Sequence, residues 1–520
     1  MNLSRVSLLM AVIGTFSSTA GAQEKKKKAK DPVIVPTTAA QDAAKANEVA
    51  DAQIAADAVS SGKVDPAQVP GAETKLNPDG LTGEKVRERA RSASFTVRSA
   101  ESALRAAASR IDVAWATFLP RLQLEGAYRR LSEFTPPSFG TGSLVGTLAP
   151  AGTLNPSPTV AVSLAFPIIL DNFSLGATIS VPLSDYLFKL SPVISGARRA
   201  EEAAKWEIEA ARAKSGAEGA LAFYSWLRAR GSLIVATQAL GDQRNHLADA
   251  KSLFQVAKVS SVDVLRAETA VSSAELQVEK VRSLVVITER QVRQAIQAAE
   301  GEILTVGESV EGPLPSSDVG TVESLRSEAM TKRPEMMALR ATLTSTEKQA
   351  TVARAAKLPS LSAYGNVLYA NPNPRRVPQT SEWFATWELG VQLRWSPNDI
   401  LLGGGNATEL DARAEQVLAQ TKLLADGIEL ELTQAVQGIK ESDFALEASK
   451  RELASATETY RVSRELFVNG AATSTTLNDA ETLLTKARLE LVNAQIDARV
   501  ARVKLNRALG RDIQANTIGK

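Results

Sequence analysis

The side chains that most often carry covalent or proton chemistry are nearly absent from this 520-residue chain. There is no cysteine, which removes thiolate nucleophiles, thiolate metal ligands and disulfides together. The single histidine, His246, lies in the helical run Gln243–Lys251 and reads as a solvated helix residue, not a catalytic base. Gly403, Gly404 and Gly405 are followed by no Lys-Ser/Thr pair, so they read as a strand-to-helix turn and not as a phosphate loop. No carboxylate pair falls in a pocket-like context. The residues point away from an enzyme, and no cofactor or metal is expected. A net charge of +2, with charges mixed along helix faces, gives no nucleic-acid signature either.

The polar chemistry that remains is arranged as stripes. Arg121, Gln123 and Glu125 alternate with Leu122, Leu124 and, further on, Tyr128. Thr178 and Ser180 alternate with Leu175, Ala177, Ile179 and Val181, and Ser362, Tyr364 and Asn366 with Leu361, Ala363, Val367 and Tyr369. The cleanest stripe sets Thr386, Glu388, Gln392 and Arg394 against Trp383, Ala385, Trp387, Leu389, Val391, Leu393 and Trp395. Alternation of this kind means a strand with one polar and one apolar face. The segments, near 119–130, 173–184, 358–369 and 383–396, have the length that a tilted transmembrane strand needs, about 9–11 residues. A soluble sheet packed on one side would alternate in the same way. Trp383, Trp387 and Trp395 on the apolar face favour lipid, because tryptophan anchors at membrane interfaces. So does the lack of an amphipathic helix suited to cover that face.

The elements that hold these strands are long helices in two copies. Leu253–Leu276 and Leu466–Leu489 align without a gap and share Leu253/Leu466, Phe254/Phe467, Ser261/Ser474, Ala267/Ala480 and Glu268/Glu481. Each copy is a helix end, a Ser/Thr break and a new helix start, and a pair of strands lies upstream of each. Helical periodicity runs from Glu84 to Phe118 and through Gly196–Ala257, Val262–Ala299, Pro334–Lys357, Asn406–Val468 and Thr475–Leu509. Sixty helical residues span roughly 90 Å, more than a compact domain allows. The reading is a duplicated helix–strand–strand–helix–helix unit whose two long hairpins lie side by side as antiparallel coiled pairs. Ser261 and Ser474 are placed to cap the returning helices.

The expected organisation is a signal peptide over 1–22, with Arg5, an apolar Val6–Phe16 and Ala20-Gly21-Ala22 as cleavage site. A Lys- and Ala-rich extension follows over 23–82. The first repeat covers 83–302 with its tip at 257–262, and a linker covers 303–320. The second repeat covers 321–510 with its tip at 469–475, ahead of a tail over 511–520. The intervening stretch Leu131–Asn172 reads as an extracellular loop holding a further alternation at Val160, Val162, Leu164 and Phe166. If the strands meet hydrocarbon, no backbone edge can stay unpaired. Four strands cannot close a barrel, which takes about eight, so several copies must pool them. Dimers, trimers and tetramers all satisfy this. A periplasmic coiled-coil scaffold, or an adaptor protein with a helical hairpin, would explain the helices but not the strand pairs.

Several passages resemble the TolC family of outer-membrane efflux and type I secretion channels. They are Leu119-Pro120-Arg121-Leu122 and Leu358-Pro359-Ser360-Leu361 leading from helix to strand, and Gly176…Asp185 and Gly390…Asp399 leading back to helix. Arg333-Pro334-Glu335, opening the second half, and the two Leu-Phe hairpins complete the set. The resemblance covers roughly residues 84–510. It implies a homotrimer with a twelve-stranded barrel in outer-membrane lipid above a periplasmic α-barrel. It also implies a passive duct working with a periplasmic adaptor (membrane fusion) protein and an inner-membrane transporter of RND, ABC or MFS type. Arg121, Gln123, Glu125, Thr178, Ser180, Glu388, Gln392 and Arg394 would line the lumen, and Tyr128, Tyr369, Trp383, Trp387 and Trp395 would form the membrane belt. Val259, Ser260, Ser261, Gly470, Thr473 and Ser474 would be the tips that meet the adaptor. Of the family's two constricting acidic rings, one position matches Asp479 and the other falls on Thr476, which leaves a single carboxylate ring. The family's latch arginine is replaced by Ala472, implying a different latch.

Overall fold

The computed structural model describes residues 77, 79–133, 168–314, 320–377 and 379–511. The expected signal peptide, the lysine-rich extension up to residue 76 and the alternation at Val160–Phe166 lie outside them; the end of the extension is instead fixed, with Leu81 buried and bridged to Val306 and Thr82 capping the first helix.

Helices α1 (Gly83–Ala93) and α2 (Phe95–Thr117) lead to β1 (Arg121–Arg130). Then come β2 (Asp171–Val181), a short α3 (Leu183–Phe188), and the long α4 (Leu190–Gln255) and α5 (Ser261–Ile296). The second half repeats the order with α6 (Val322–Lys332), α7 (Pro334–Ala355), β3 (Ser360–Asn371), β4 (Phe384–Arg394), α8 (Pro397–Val468) and α9 (Ser474–Leu509). Each repeat therefore opens with two helices where the sequence reading gave one. The expected continuous helix from Glu84 breaks at Ser94. Its backbone is extended there, and its hydroxyl accepts from Thr96 N–H and from Ser215 Oγ of α4. Arg333 makes the matching break, because a residue before proline is pushed out of the helical region. The Arg333 guanidinium is buried against Glu431 at 2.6 Å and Glu335 at 3.4 Å, which pins the start of α7 to α8. That buried clamp is what the Arg333-Pro334-Glu335 motif builds.

The two longest helices have 66 and 72 residues, roughly 100 Å each at 1.5 Å per residue. α8 starts nine residues before the expected Asn406, so Gly403, Gly404 and Gly405 lie inside it and not in a turn. Gly403 is needed for approach: a Cβ there would come within 3.1 Å of the Ala353 carbonyl of α7. α4 pairs with α5, α8 with α9, and α9 also lies along α4. At that junction a Cβ on Gly231 would sit 2.7 Å from Val492 Cγ1. The apolar core runs as separate clusters down this length. One is built on Phe223, Trp226, Val292 and Ile496, another on Met336, Ile428, Leu432 and Leu505. A third, at the hairpin ends, holds Leu253, Phe467, Leu477 and Leu484.

The duplicated hairpin ends are two copies of one backbone device. In the first, Lys258 N–H bonds the Leu253 carbonyl (2.9 Å) and Ala257 N–H the Phe254 carbonyl (3.0 Å). In the second, Ala471 N–H bonds Leu466 (2.8 Å) and Gly470 N–H bonds Phe467 (2.9 Å). Both are Schellman closures, so the shared Leu-Phe pair supplies the two carbonyls that end each helix. The left-handed residue is Ala257 (φ 56°) in one copy and Gly470 (φ 75°) in the other. A side chain in that conformation costs roughly 1 kcal/mol. Ala257→Gly is therefore expected to slow hydrogen exchange of the first tip's amides about fivefold, and Gly470→Ala to speed it at the second by a similar factor. Hydrogen-exchange mass spectrometry of the detergent-solubilised protein measures both, and equal rates in variants and wild type would refute the assignment of strain.

Candidate functional site: a two-faced sheet and paired hairpin tips

The four strands form one antiparallel sheet in the order β1-β2-β3-β4. Its register settles which side chains share a face. Gln123, Thr178, Asn366 and Glu388 stand directly opposite one another across all four strands, and Asn366 Nδ2 donates to Thr178 Oγ1 at 2.8 Å. Arg121 and Ser180 lie one row toward the helices, and Glu125 one row the other way. Gln392 and Arg394 extend the same face along β4. All eight polar strand positions expected from the sequence thus lie on one side. The other side carries the row Leu124, Ala177, Val367 and Trp387, with Leu122, Ile179 and Leu389 beside it.

Among the described residues no helix is laid on that apolar side: Leu124 is 74%, Trp387 73% and Leu389 76% exposed. Water-facing sheets do not normally offer such a surface. Aromatic rings gather at its loop end, where Tyr128 meets Phe173 (4.8 Å between centroids), Phe173 meets Trp383 (6.1 Å), and Tyr369 stacks on Trp383 (4.9 Å). Trp395 follows β4 at the helix end, and Trp387 sits between the two. Phe173 belongs to the cluster although only its parity in β2, and no tryptophan signal, could have revealed it. β2 begins at Asp171, slightly earlier than expected. Among the described residues, β1 and β4 each have one unpaired edge.

At the far end of the helices the two tips lie together, with Val259 and Ala472 packed on the same apolar cluster. The caps are one residue earlier than expected. Ser260 caps α5 in a full capping box with Asp263, and Thr473 caps α9 by accepting from Thr476 N–H. Ser261 and Ser474 are instead the first helical residues. Ser261 is exposed, whereas Ser474 is buried and turned to His246. Thr476 holds the position that Asp263 holds in the first copy, and its hydroxyl is engaged with Thr473 Oγ1 at 2.9 Å. Asp479, one turn further along α9, is exposed, as are Gly470 and Thr473.

His246 is not solvated; it is 3% exposed. Its Nδ1 lies 3.2 Å from Glu481 Oε2 and its Nε2 3.2 Å from Ser474 Oγ, while Phe467 meets the ring edge-on. Gln243 Nε2 also donates to Glu481 Oε2 (2.9 Å). Nearby, Arg488 donates to Asp242 (3.0 Å) and Arg464 to Asp249 (3.3 Å). Every one of these polar ties joins α4 of the first hairpin to α8 or α9 of the second. Burial pushes the Glu481 carboxyl up, and the bond to His246 opposes it. Burial likewise raises Asp242 against the pull of Arg488, and raises the Tyr460 hydroxyl beside them.

A sheet with one uncovered apolar face and two open edges, carried on helices roughly 100 Å long, is one subunit's share of a membrane-spanning channel. The family model for outer membrane efflux proteins matches residues 86–298 and 325–511, one stretch for each repeat. The chain belongs to the outer membrane efflux protein family, and is an outer-membrane protein of the TolC type. Solved structures agree on the fold. The outer-membrane channel OprN superposes with a TM-score of 0.66 at 16% identity, covering 86% of this chain and 96% of that one. The CmeC outer membrane channel of Campylobacter jejuni gives 0.67 at 14% identity, covering 85% and 90%. The outer membrane protein VceC of Vibrio cholerae gives 0.65 at 16%, covering 82% and 96%. No curated protein sequence matches significantly.

A carboxyl held above its ordinary range by burial favours its protonated form in the fold. Its contribution to stability is fully present below the usual carboxylate range and is lost as pH rises through the raised value. Glu481→Gln, neutral throughout, is expected to remove that slope, so the stability difference between wild type and variant should change steadily with pH. Unfolding followed by circular dichroism across the acid range checks this, and a difference that stays constant with pH would refute it.

Proposed function

We propose that three copies of this chain form a passive exit duct through the outer membrane, fed from the periplasm. The observation that carries the reading is the sheet: among the described residues its apolar face is bare and both its edges are unpaired, a combination that hydrocarbon forbids in a single copy. Three sheets would close a barrel of twelve strands, with Arg121, Gln123, Glu125, Thr178, Ser180, Glu388, Gln392 and Arg394 turned to the lumen. The aromatic cluster at Tyr128, Tyr369 and Trp383 would mark the outer interface and Trp395 the inner one.

In this arrangement α4, α5, α8 and α9 continue the duct into the periplasm, and the tips meet an adaptor protein that couples the duct to an inner-membrane transporter. Phe254, Val256, Val262 and Leu265 stand exposed at the first tip, an apolar patch that supports protein contact there. Phe254 is the more telling because its repeat partner Phe467 is buried. The polar ties around His246 hold the two hairpins together where the family's latch arginine is missing. Cargo is selected mainly by the transporter, because the described lumen positions mix acidic, basic and neutral groups. Asp479, repeated around the axis, would form a carboxylate ring that favours cations.

Reconstitution in planar bilayers tests the duct and the ring together. The wild type should form pores with a cation preference, and Asp479→Asn should keep the pores and lose part of the preference. Absence of pores would overturn the duct, whereas an unchanged preference would overturn the ring alone.

A further inference from the structure

The polar face of the sheet is not bare at its loop end. β3 stops at Asn371, and the chain then doubles back over the face that carries Thr386 and Glu388. Asn373 is 2% exposed, and its Nδ2 donates to the Phe384 carbonyl (2.9 Å) and to Thr386 Oγ1 (3.2 Å). Its Oδ1 accepts from Arg375 N–H at 2.9 Å, which closes an Asx turn. The turn aims Arg375 down the strand, where its guanidinium meets the Glu388 carboxylate at 2.5 Å. Arg376 lies over the Phe384 ring (4.9 Å) and bonds Glu382 (3.3 Å). Phe384 and Thr386 share the face of Glu388, and Ala370, also on that face, is only 2% exposed. From Phe384 to Glu388 is about 13 Å along the strand at roughly 3.3 Å per residue. The contacts therefore reach well inside the strand and do not stop at its rim.

We infer that Pro372–Arg376 form an arm lying inside the duct, and that the Arg375–Glu388 pair sets the charge of its outer mouth. The inference rests on the duct reading. Glu388 stands in the row with Gln123, Thr178 and Asn366, and without the arm a closed barrel would present a ring of bare carboxylates there. With the arm in place each carboxylate faces a guanidinium, so the mouth carries no net charge at this level. Arg375 and Glu388 are then the residues that determine which ions pass the mouth, with opposite signs. Asn373 is a positioning residue, since it fixes the turn that delivers Arg375.

Two experiments test this. Reversal potentials across a KCl gradient should shift toward anion preference in Glu388→Gln and toward cation preference in Arg375→Gln, and the double variant should return to the wild-type value. Single variants that both match wild type, or that shift in the same direction, would overturn the inference. Because the chain has no cysteine, Arg376→Cys with Phe384→Cys gives a unique pair that leaves the Asn373 turn intact. A short bridging methanethiosulfonate should cross-link them within one chain in the assembled protein, seen as a mobility change reversed by reductant. Failure to cross-link would also overturn it. A wild type that forms no pores would count against the duct itself, and the cysteine pair would still decide where the arm lies.

Discussion

An unpaired backbone amide in hydrocarbon costs several kcal/mol, and a row of them along a strand edge cannot be tolerated. The described residues of this chain end the sheet in two such rows, on β1 and β4, and leave the adjacent apolar face without cover. Both features are liabilities in water and acceptable only where other copies pair the edges and lipid meets the face. The rest of the molecule follows from that constraint. The helices need not cover the sheet, so they are free to extend away from it. Their own burial comes from pairing with each other, in clusters strung along the bundle and not in one central core.

Length of this kind needs fixed points, and the chain supplies them with buried charge. Arg333 ties α7 to α8, Arg499 binds Glu308 and the carbonyls of Ser309 and Gly312, and the His246–Glu481–Ser474 group ties α4 to α9. Breaking one partner of such a group leaves the other buried and unsatisfied, so these ties resist sliding of one hairpin past the other. They lie at the start of α1, where Gly83 N–H also bonds Glu308, between α6 and α7, and close to the tips, where coiled pairs alone would set the register weakly. The near-identical tips show the same economy in the backbone: one Schellman closure and one hydroxyl cap, used twice with different side chains.

Most of the architecture was legible in the sequence because period-2 and period-3.6 patterns are local. The stripes assigned every polar strand position to the side on which the register places it, since a strand in one register has no freedom to do otherwise. Boundaries were less secure. Ser94 and the start of α8 were missed because a capped break and a glycine-containing helix look alike to periodicity, and Gly403 is set by a contact with α7 far off in the chain. The burial of His246 escapes periodicity for the same reason. Its helix is amphipathic in the ordinary way, and only the fold brings Glu481 and Ser474 to it from α9. One signal did exist: glutamate recurs at Glu268 and Glu481 in the two repeats, yet Glu268 finds Lys251 at the surface whereas Glu481 is buried. The turn at Pro372–Arg376 leaves no periodic trace, because its partners across the polar face of the sheet are fixed by Asn373 alone.

Two open edges require that the sheets of several subunits be joined edge to edge. Native mass spectrometry of the protein released from detergent micelles measures this directly. The expected result is one assembly with three times the mass of the mature chain, lost only on denaturation. A folded monomer that stays soluble with no detergent present would contradict it.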